Sequence, residues 1–127
     1  MPLVRIELRQ GKPPQYRRAL ADGVYQAMRE TINVPENDLF VVVTERDADN
    51  FIYDRHYGGI DRTDDFVIIQ IALRRGRTTE MKQALYRRIA QRLGDTPGVL
   101  PGDVFVTLVE NGPEDWSFGN GDAQYVK

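Results

Sequence analysis

The order of hydrophobic and polar residues along the chain predicts four β-strands. Residues 2–9 alternate apolar and polar side chains, which is the period of a strand buried on one face. The run at 65–74 is apolar on both faces and is typical of a central strand that is covered on both sides. Runs rich in valine and phenylalanine predict two further strands, near 38–45 and 103–110.

Two segments with helical spacing lie between these strands. The first helix is predicted near 14–32 and the second near 78–94, where Thr78 or Thr79 can accept a hydrogen bond as the N-cap. The stretch 45–65 is polar, contains glycine and keeps no period. We interpret it as a connector with room for a short hairpin. The apolar residues of the first helix at this spacing are Leu20, Val24, Ala27, Met28 and Ile32.

The two halves of the chain resemble each other at one fixed offset. A shift of 65 positions, from Gly11 to Gly76 (76 − 11), superposes many identical residues. Such a match predicts a duplicated β-α-β unit, with repeats at about 2–45 and 66–110 and a tail at 111–127. The matching pairs are Ala19-Leu20 and Ala84-Leu85, Val34 and Val99, Asp38 and Asp103, and Phe40-Val41 and Phe105-Val106.

Two β-α-β units predict an α+β fold of two layers. Each unit has two parallel strands joined by a crossover helix, so together they form a four-stranded mixed sheet with both helices on one face. The chain, 1–127, is the size of one domain. Because the helices leave the second sheet face uncovered, we expect another subunit to cover it.

Composition narrows the classes of partner. The 17 basic and 19 acidic residues give a net charge of −2, which argues against nucleic acid or an anionic membrane as a partner. The chain has no cysteine for a disulfide or a thiolate metal site, and it has no apolar run near the roughly 18 residues of a membrane span. The first residues lack the pattern of a signal peptide. We therefore expect a mature N-terminus and a cytoplasmic protein.

Pro2, directly before the first strand, is a candidate for chemistry. A proline in second position is often only a harmless start residue. If Met1 is removed, however, Pro2 becomes a secondary amine, and a free α-amine titrates near pH 8, close enough to neutral to act as base or acid. Such an amine needs no metal and no cofactor.

Arg74, Arg75 and Arg77 form the second candidate, at the exit of the central strand and just before a helix. The alternative interpretation is a solvated cluster of charges. Paired guanidinium groups, however, suit a carboxylate, and Arg75 and Arg77 project to the same side of an extended chain. If the central strands of the two units pair antiparallel, the start of the first strand lies near the end of the third. This pairing would bring Pro2 close to the arginines.

Several motifs spread over nearly the whole chain are specific when taken together: Pro2, Val34-Pro-Glu-Asn-Asp38, Arg75-Gly-Arg77, Val109-Glu-Asn111 and Trp116-Ser-Phe-Gly119. Through these motifs the chain resembles the malonate semialdehyde decarboxylase branch of the tautomerase superfamily over nearly its whole length. The resemblance implies a homotrimer in which Pro2 is catalytic, Arg75 and Arg77 bind a substrate carboxylate, and Asp38 is a polar partner of the amine or of a water.

Several assignments within this resemblance stay open. Trp116 and Phe118 match the branch's apolar wall, but aromatic residues also serve as core or interface, and Asp38 is also a usual turn residue. The branch has Arg-Pro-Arg where this chain has Arg-Gly-Arg preceded by Arg74, so either Arg74 or Arg75 faces the pocket. Retained Met1 is expected to sit over the pocket mouth and block it.

Three functions fit these residues. The first is keto–enol tautomerisation of a small oxo- or enol-carboxylate, with Pro2 as base and acid. The second is decarboxylation of a 3-oxo acid such as malonate semialdehyde, with Pro2 protonated. The third is a trimeric binding or signalling protein without catalysis, since a fold alone does not settle function.

Overall fold

The computed structural model describes residues 2–126, and it contains the predicted four strands and two helices. Strand β2 begins three residues later than predicted, and every other boundary agrees with its prediction to within two residues. The bounds are β1 Leu3–Arg9, α1 Pro14–Ile32, β2 Val41–Arg46, β3 Val67–Arg74, α2 Thr79–Asp95 and β4 Val104–Asn111.

Local signals explain where the helices begin and end. Helix α1 stops at Asn33, which takes the left-handed conformation (φ 60°) and donates its backbone N–H to the Met28 carbonyl. Helix α2 begins after Thr78, whose hydroxyl accepts a hydrogen bond of 3.2 Å from the Met81 N–H. Of the two threonines that could cap this helix, Thr78 is therefore the N-cap.

The sheet has the strand order β2-β1-β3-β4. Strands β1 and β2 are parallel, as are β3 and β4, whereas the central pair β1 and β3 is antiparallel. Leu3 lies opposite Ala72 in this central pair. The register thus relates the two β-α-β units by an approximate twofold axis and brings the start of β1 to the end of β3, as the sequence predicts.

Both helices pack on one face of the sheet. On the inner strands, alternate residues such as Ile6 and Ile69 are fully buried beneath the helices. The helices come close at Gly23, where an added Cβ would lie 2.8 Å from Leu93 Cδ2. The opposite sheet face, here called the open face, has no helix on it among the described residues. Four apolar side chains on this face are each exposed by 40–50% of their area, namely Phe40, Val42, Phe105 and Val109.

The stretch 45–65 is a connector, as predicted; it contains two 3₁₀ turns, Ala48–Asn50 and Tyr57–Gly59, and forms no hairpin between β2 and β3. The repeat extends into this region. The turn Ala48–Asn50 corresponds to Pro113–Asp115 of the tail at the same shift of 65 positions. Two aromatic pairs follow these turns at matching positions, Phe51 and Tyr53 in the connector and Trp116 and Phe118 in the tail.

No helix within residues 2–126 is long and apolar enough to cross a membrane.

Asp103 anchors the connector to the second unit, and its removal should destabilise the fold. The side chain is 1% exposed and accepts hydrogen bonds from the Thr63 backbone N–H at 2.7 Å and the Thr63 hydroxyl at 2.6 Å. Asp103→Ala should lower the free energy of unfolding by about 2–4 kcal/mol, because it leaves two donors without an acceptor. Urea unfolding followed by circular dichroism, at one fixed protein concentration, measures this loss.

Asp61→Ala is the matched control. Its side chain is 93% exposed and pairs with the exposed His56, so we expect a change within about 0.5 kcal/mol. Equal effects of the two substitutions would contradict an anchoring role for Asp103.

Candidate active site

Pro2 lies buried at the start of the inner strand β1, beside the end of β3. It lines a cavity of about 410 Å³, which opens between the start of β1 and the tail. The walls are mainly apolar, with a few polar groups from β4 and the tail. The lining residues are Pro2, Leu3, Phe40, Ala72, Asn111, Asp115, Trp116, Ser117 and Phe118. We call this cavity the open pocket.

The aromatic wall of the open pocket is held by β4. Trp116 and Phe118 stack with ring centroids 5.6 Å apart and planes inclined by 30°. The Trp116 Nε1–H donates to the Asn111 side-chain oxygen at 2.7 Å. The Asn111 backbone carbonyl in turn accepts from the Arg75 N–H at 2.9 Å. Asn111 therefore joins the aromatic wall to the arginine segment.

The last part of the tail supports the wall from behind, and sequence reasoning missed it. The Tyr125 and Phe118 rings form a T-shaped pair, with their centroids 4.9 Å apart and their planes inclined by 85°. The Gln124 side chain accepts from the Phe118 N–H and donates to the Gly119 carbonyl, both at 2.9 Å. Tyr125 and Gln124 lie in a segment without period, so the sequence offers no signal for their contacts.

The three arginines occupy different positions at the end of β3. Arg74 places its guanidinium 3.9 Å from the centroid of the Tyr125 ring, in cation–π contact. Arg77 donates from Nη1 to the Arg74 carbonyl at 3.1 Å. Arg75 is exposed and uses its backbone N–H on Asn111. Among the described residues, none of the three forms an ion pair.

In a single subunit, the arginines border a second cavity beside the open pocket. This cavity measures about 310 Å³ and also touches the end of α1. The structure therefore brings Pro2, Trp116 and Phe118 to one cavity and the arginines to its neighbour. Asn111 and Tyr125 link the two. The lining residues of the second cavity are Ile32, Asn33, Arg74, Arg75, Gly76, Arg77 and Met81.

Asp38 is 7% exposed and lies just before β2. The segment that follows it runs alongside the start of β1, because the Val4 N–H donates to the Phe40 carbonyl at 2.9 Å. Phe40 also lines the open pocket together with Pro2. Asp38 and Pro2 therefore lie at the same end of the parallel strands β1 and β2. The predicted position of Met1 over the pocket mouth lies outside the described residues.

Asp115 is a further acidic side chain at the open pocket that sequence reasoning did not single out. Its carboxylate accepts a hydrogen bond from the Gly112 N–H at 2.8 Å and so closes the 3₁₀ turn before Trp116. Asp115 therefore has a structural role, because its hydrogen bond stabilises this turn.

Comparison with known proteins agrees with this geometry. Two family models described as tautomerase enzyme match residues 42–119 and 2–57. The probable tautomerase YusQ of Bacillus subtilis (strain 168) is 45% identical over 127 residues, which span all of both chains. The two models and this relative together cover the open pocket and the arginine segment.

Solved structures agree with the comparison of sequences. A malonate semialdehyde decarboxylase inhibited by 3-bromopropiolate is 40% identical with a TM-score of 0.91, over 98% of this chain and 94% of that one. A second malonate semialdehyde decarboxylase is 30% identical with a TM-score of 0.92, over 98% and 95% of the two chains. A fused 4-OT that forms a symmetric trimer is 25% identical with a TM-score of 0.77, over 94% and 93%. The resemblance found in the sequence is confirmed, and the chain belongs to the tautomerase family of enzymes.

Proposed function

We propose that Pro2, once Met1 is removed, is the general base and acid of a keto–enol tautomerase acting on a small oxo- or enol-carboxylate. The observation that carries this proposal is the placement of buried Pro2 on an apolar-walled cavity next to three arginines, none of which forms an ion pair with a residue of the described range 2–126. One relative of known structure, a malonate semialdehyde decarboxylase, was also studied with its first residue, a proline, replaced by alanine.

The reaction needs only proton transfers at neighbouring atoms. The neutral Pro2 amine takes the proton from the carbon next to the carbonyl, and the C–H electron pair becomes the C=C bond of an enolate. The carbonyl π electrons move to oxygen, which then receives the proton from the Pro2 ammonium. Ketonisation runs through the same steps in reverse.

The remaining site residues hold the substrate and its charge. Arg75 and Arg77 bind the carboxylate by charge-assisted hydrogen bonds and stabilise the enolate. Arg74, through Tyr125, fixes the tail that carries the aromatic wall. Trp116 and Phe118 pack against the apolar part of the substrate and limit access of water. Asp38 orients the Pro2 amine or a water beside it.

Decarboxylation of a 3-oxo acid is the second candidate, favoured by the similarity to two malonate semialdehyde decarboxylases. In this reaction protonated Pro2 polarises the carbonyl, while the arginines hold the departing carboxylate out of conjugation. The carboxylate leaves as CO₂, and the electron pair of the broken C–C bond becomes the C=C bond of an enolate. The enolate carbon later takes a proton, and the carbonyl forms again. Assays on phenylenolpyruvate, 2-hydroxymuconate and malonate semialdehyde separate the two reactions, because the first two substrates report tautomerisation and the third reports decarboxylation.

We further propose that the protein is a homotrimer in which the open face of each subunit is covered by its partners. Light scattering at micromolar concentration should give three times the subunit mass of 14.6 kDa. Val42→Asp introduces a charge on the open face and should shift the protein toward smaller species. Tyr86→Asp, on exposed helix α2, should leave the trimer intact. A monomeric wild type would contradict the proposal.

Retention of Met1 should abolish the activity, because it turns the Pro2 amine into an amide without basicity. We expect a loss of about 10²–10⁴-fold, the usual contribution of one general acid–base group. The experiment compares the processed chain with one that carries an uncleavable Gly-Ser extension, with the N-terminus of each verified by mass spectrometry. Pro2→Ala with a free α-amine is the control and should keep part of the activity. Equal activity of both chains would eliminate the amine mechanism.

Arg75→Ala and Arg77→Ala should each reduce kcat/KM on carboxylate substrates by about 10²-fold or more, as expected for a lost charge-assisted contact. Arg87→Ala, on the exposed face of α2, is the control and should leave kcat/KM unchanged. If both variants keep full activity while Arg74→Ala does not, Arg74 is the carboxylate binder and the assignment is wrong by one residue.

A further inference from the structure

At the opposite end of the central strands, the subunit contains a second arrangement of largely similar residues, at positions that correspond to the open pocket. Phe51 and Tyr53 take the places of Trp116 and Phe118, and their ring centroids are 5.4 Å apart. Asp103 takes the place of Asp38. At the shift of 65 positions, Arg9, Gln10 and Lys12 correspond to Arg74, Arg75 and Arg77, whereas Phe105 corresponds to Phe40, Phe66 to residue 1, and Val67 to Pro2. We call this arrangement the closed pocket.

An aromatic ring fills the closed pocket. Phe66 is 2% exposed, and its ring lies 4.3 Å from Tyr53, 6.0 Å from Phe51 and 6.0 Å from Phe105. The Tyr53 hydroxyl, near the same place, donates to the Thr63 carbonyl. The aromatic wall of the first unit thus packs against a side chain of the protein itself, whereas that of the second unit borders a cavity.

Two carboxylates of the protein form ion pairs with the cations of the closed pocket. Asp64 lies 3.1 Å from Arg9, and Asp65 lies 2.7 Å from Lys12. The hydrogen bond that the Lys12 ammonium donates to Asp65 also raises the pKa of Lys12 above its usual value. At the corresponding arginines of the second unit, no described carboxylate forms an ion pair. The backbone is nevertheless similar, since Gly11 and Gly76 share a positive φ of 119° and 132°.

We propose that the closed pocket is a latent ligand site for a small aromatic carboxylate, kept closed by the Phe66 ring and by the carboxylates of Asp64 and Asp65. The three side chains act together as an internal substitute for such a ligand, because they place a ring on the aromatic wall and carboxylates on Arg9 and Lys12. The proposal extends the proposed function to a second place in the subunit, but it does not depend on catalysis by Pro2.

The test opens the site and offers it a ligand of matching chemistry. The variant Phe66→Ala, Asp64→Asn, Asp65→Asn removes the ring and both carboxylates, and apolar cavities of about 150 Å³ in other proteins do bind free aromatic molecules. Arg75→Ala and Arg77→Ala are added so that the open pocket loses its carboxylate binders. Phenylacetate is the probe, and benzyl alcohol is its uncharged counterpart.

We expect phenylacetate to bind this variant at one saturable site per subunit by calorimetry and to raise its Tm. Its Kd should be about tenfold lower than that of benzyl alcohol, because the freed Arg9 and Lys12 add a charge-assisted contact. The control restores bulk with Phe66→Leu in the same background and should lose the site. Absence of a saturable site in the folded variant, or equal affinity for both probes, would overturn the proposal.

A second variant tests the anion half while Phe66 remains in place. Asp64→Asn and Asp65→Asn alone should let acetate bind near Arg9 and Lys12, seen as saturable shifts of the Lys12 side-chain NMR signals. The two carboxylates are 61% and 50% exposed, so this variant should fold even if the Phe66 substitution prevents folding. Unchanged signals up to molar acetate would overturn the proposal.

Discussion

The antiparallel pairing of β1 with β3 is the constraint on which the rest of the structure depends. With Leu3 opposite Ala72, the residue before β1 meets the residues that leave β3. Pro2 and the arginines come from distant parts of the sequence, and this register alone brings them to the same end of the central strands. A shift by one residue would turn every side chain of β1 to the other face and expose Val4, Ile6 and Leu8, which are now buried.

The same pairing has a second consequence at the opposite end of the two central strands. There the end of β1 meets the residues before β3, so Arg9 and Lys12 encounter Asp64 and Asp65. The two ends are equivalent by the duplication, yet one borders two cavities of about 410 and 310 Å³, whereas the other keeps only a cavity of about 220 Å³ beside Arg9 and Lys12. The difference follows from what precedes each strand, because the connector places Phe66 on the aromatic rings and two carboxylates on the cations.

The sequence was sufficient to predict the fold because several independent signals agreed. Period, helix caps and the repeat at 65 positions all indicated the same two β-α-β units. The antiparallel pairing of the two central strands entered only as an assumption, which the structure confirms. The late start of β2 was missed, since Leu39 and Phe40 read as strand although they lie just before it. The roles of Tyr125 and Gln124 were missed because they depend on how the tail folds back. The correspondence of Phe51 and Tyr53 with Trp116 and Phe118 was missed because neither residue is identical to its equivalent, so the match does not stand out in the sequence.

The duplication also bears on why the N-terminal methionine should matter. Phe66, which fills the closed pocket, corresponds to residue 1 at the shift of 65 positions. Under the proposed processing, removal of Met1 would convert the Pro2 nitrogen from an amide into an amine. In the processed chain no residue would correspond to Phe66, whereas Phe66 itself is held inside the chain by peptide bonds on both sides. The same cleavage that creates the base would thus leave the open pocket without a counterpart of the ring that fills the closed pocket.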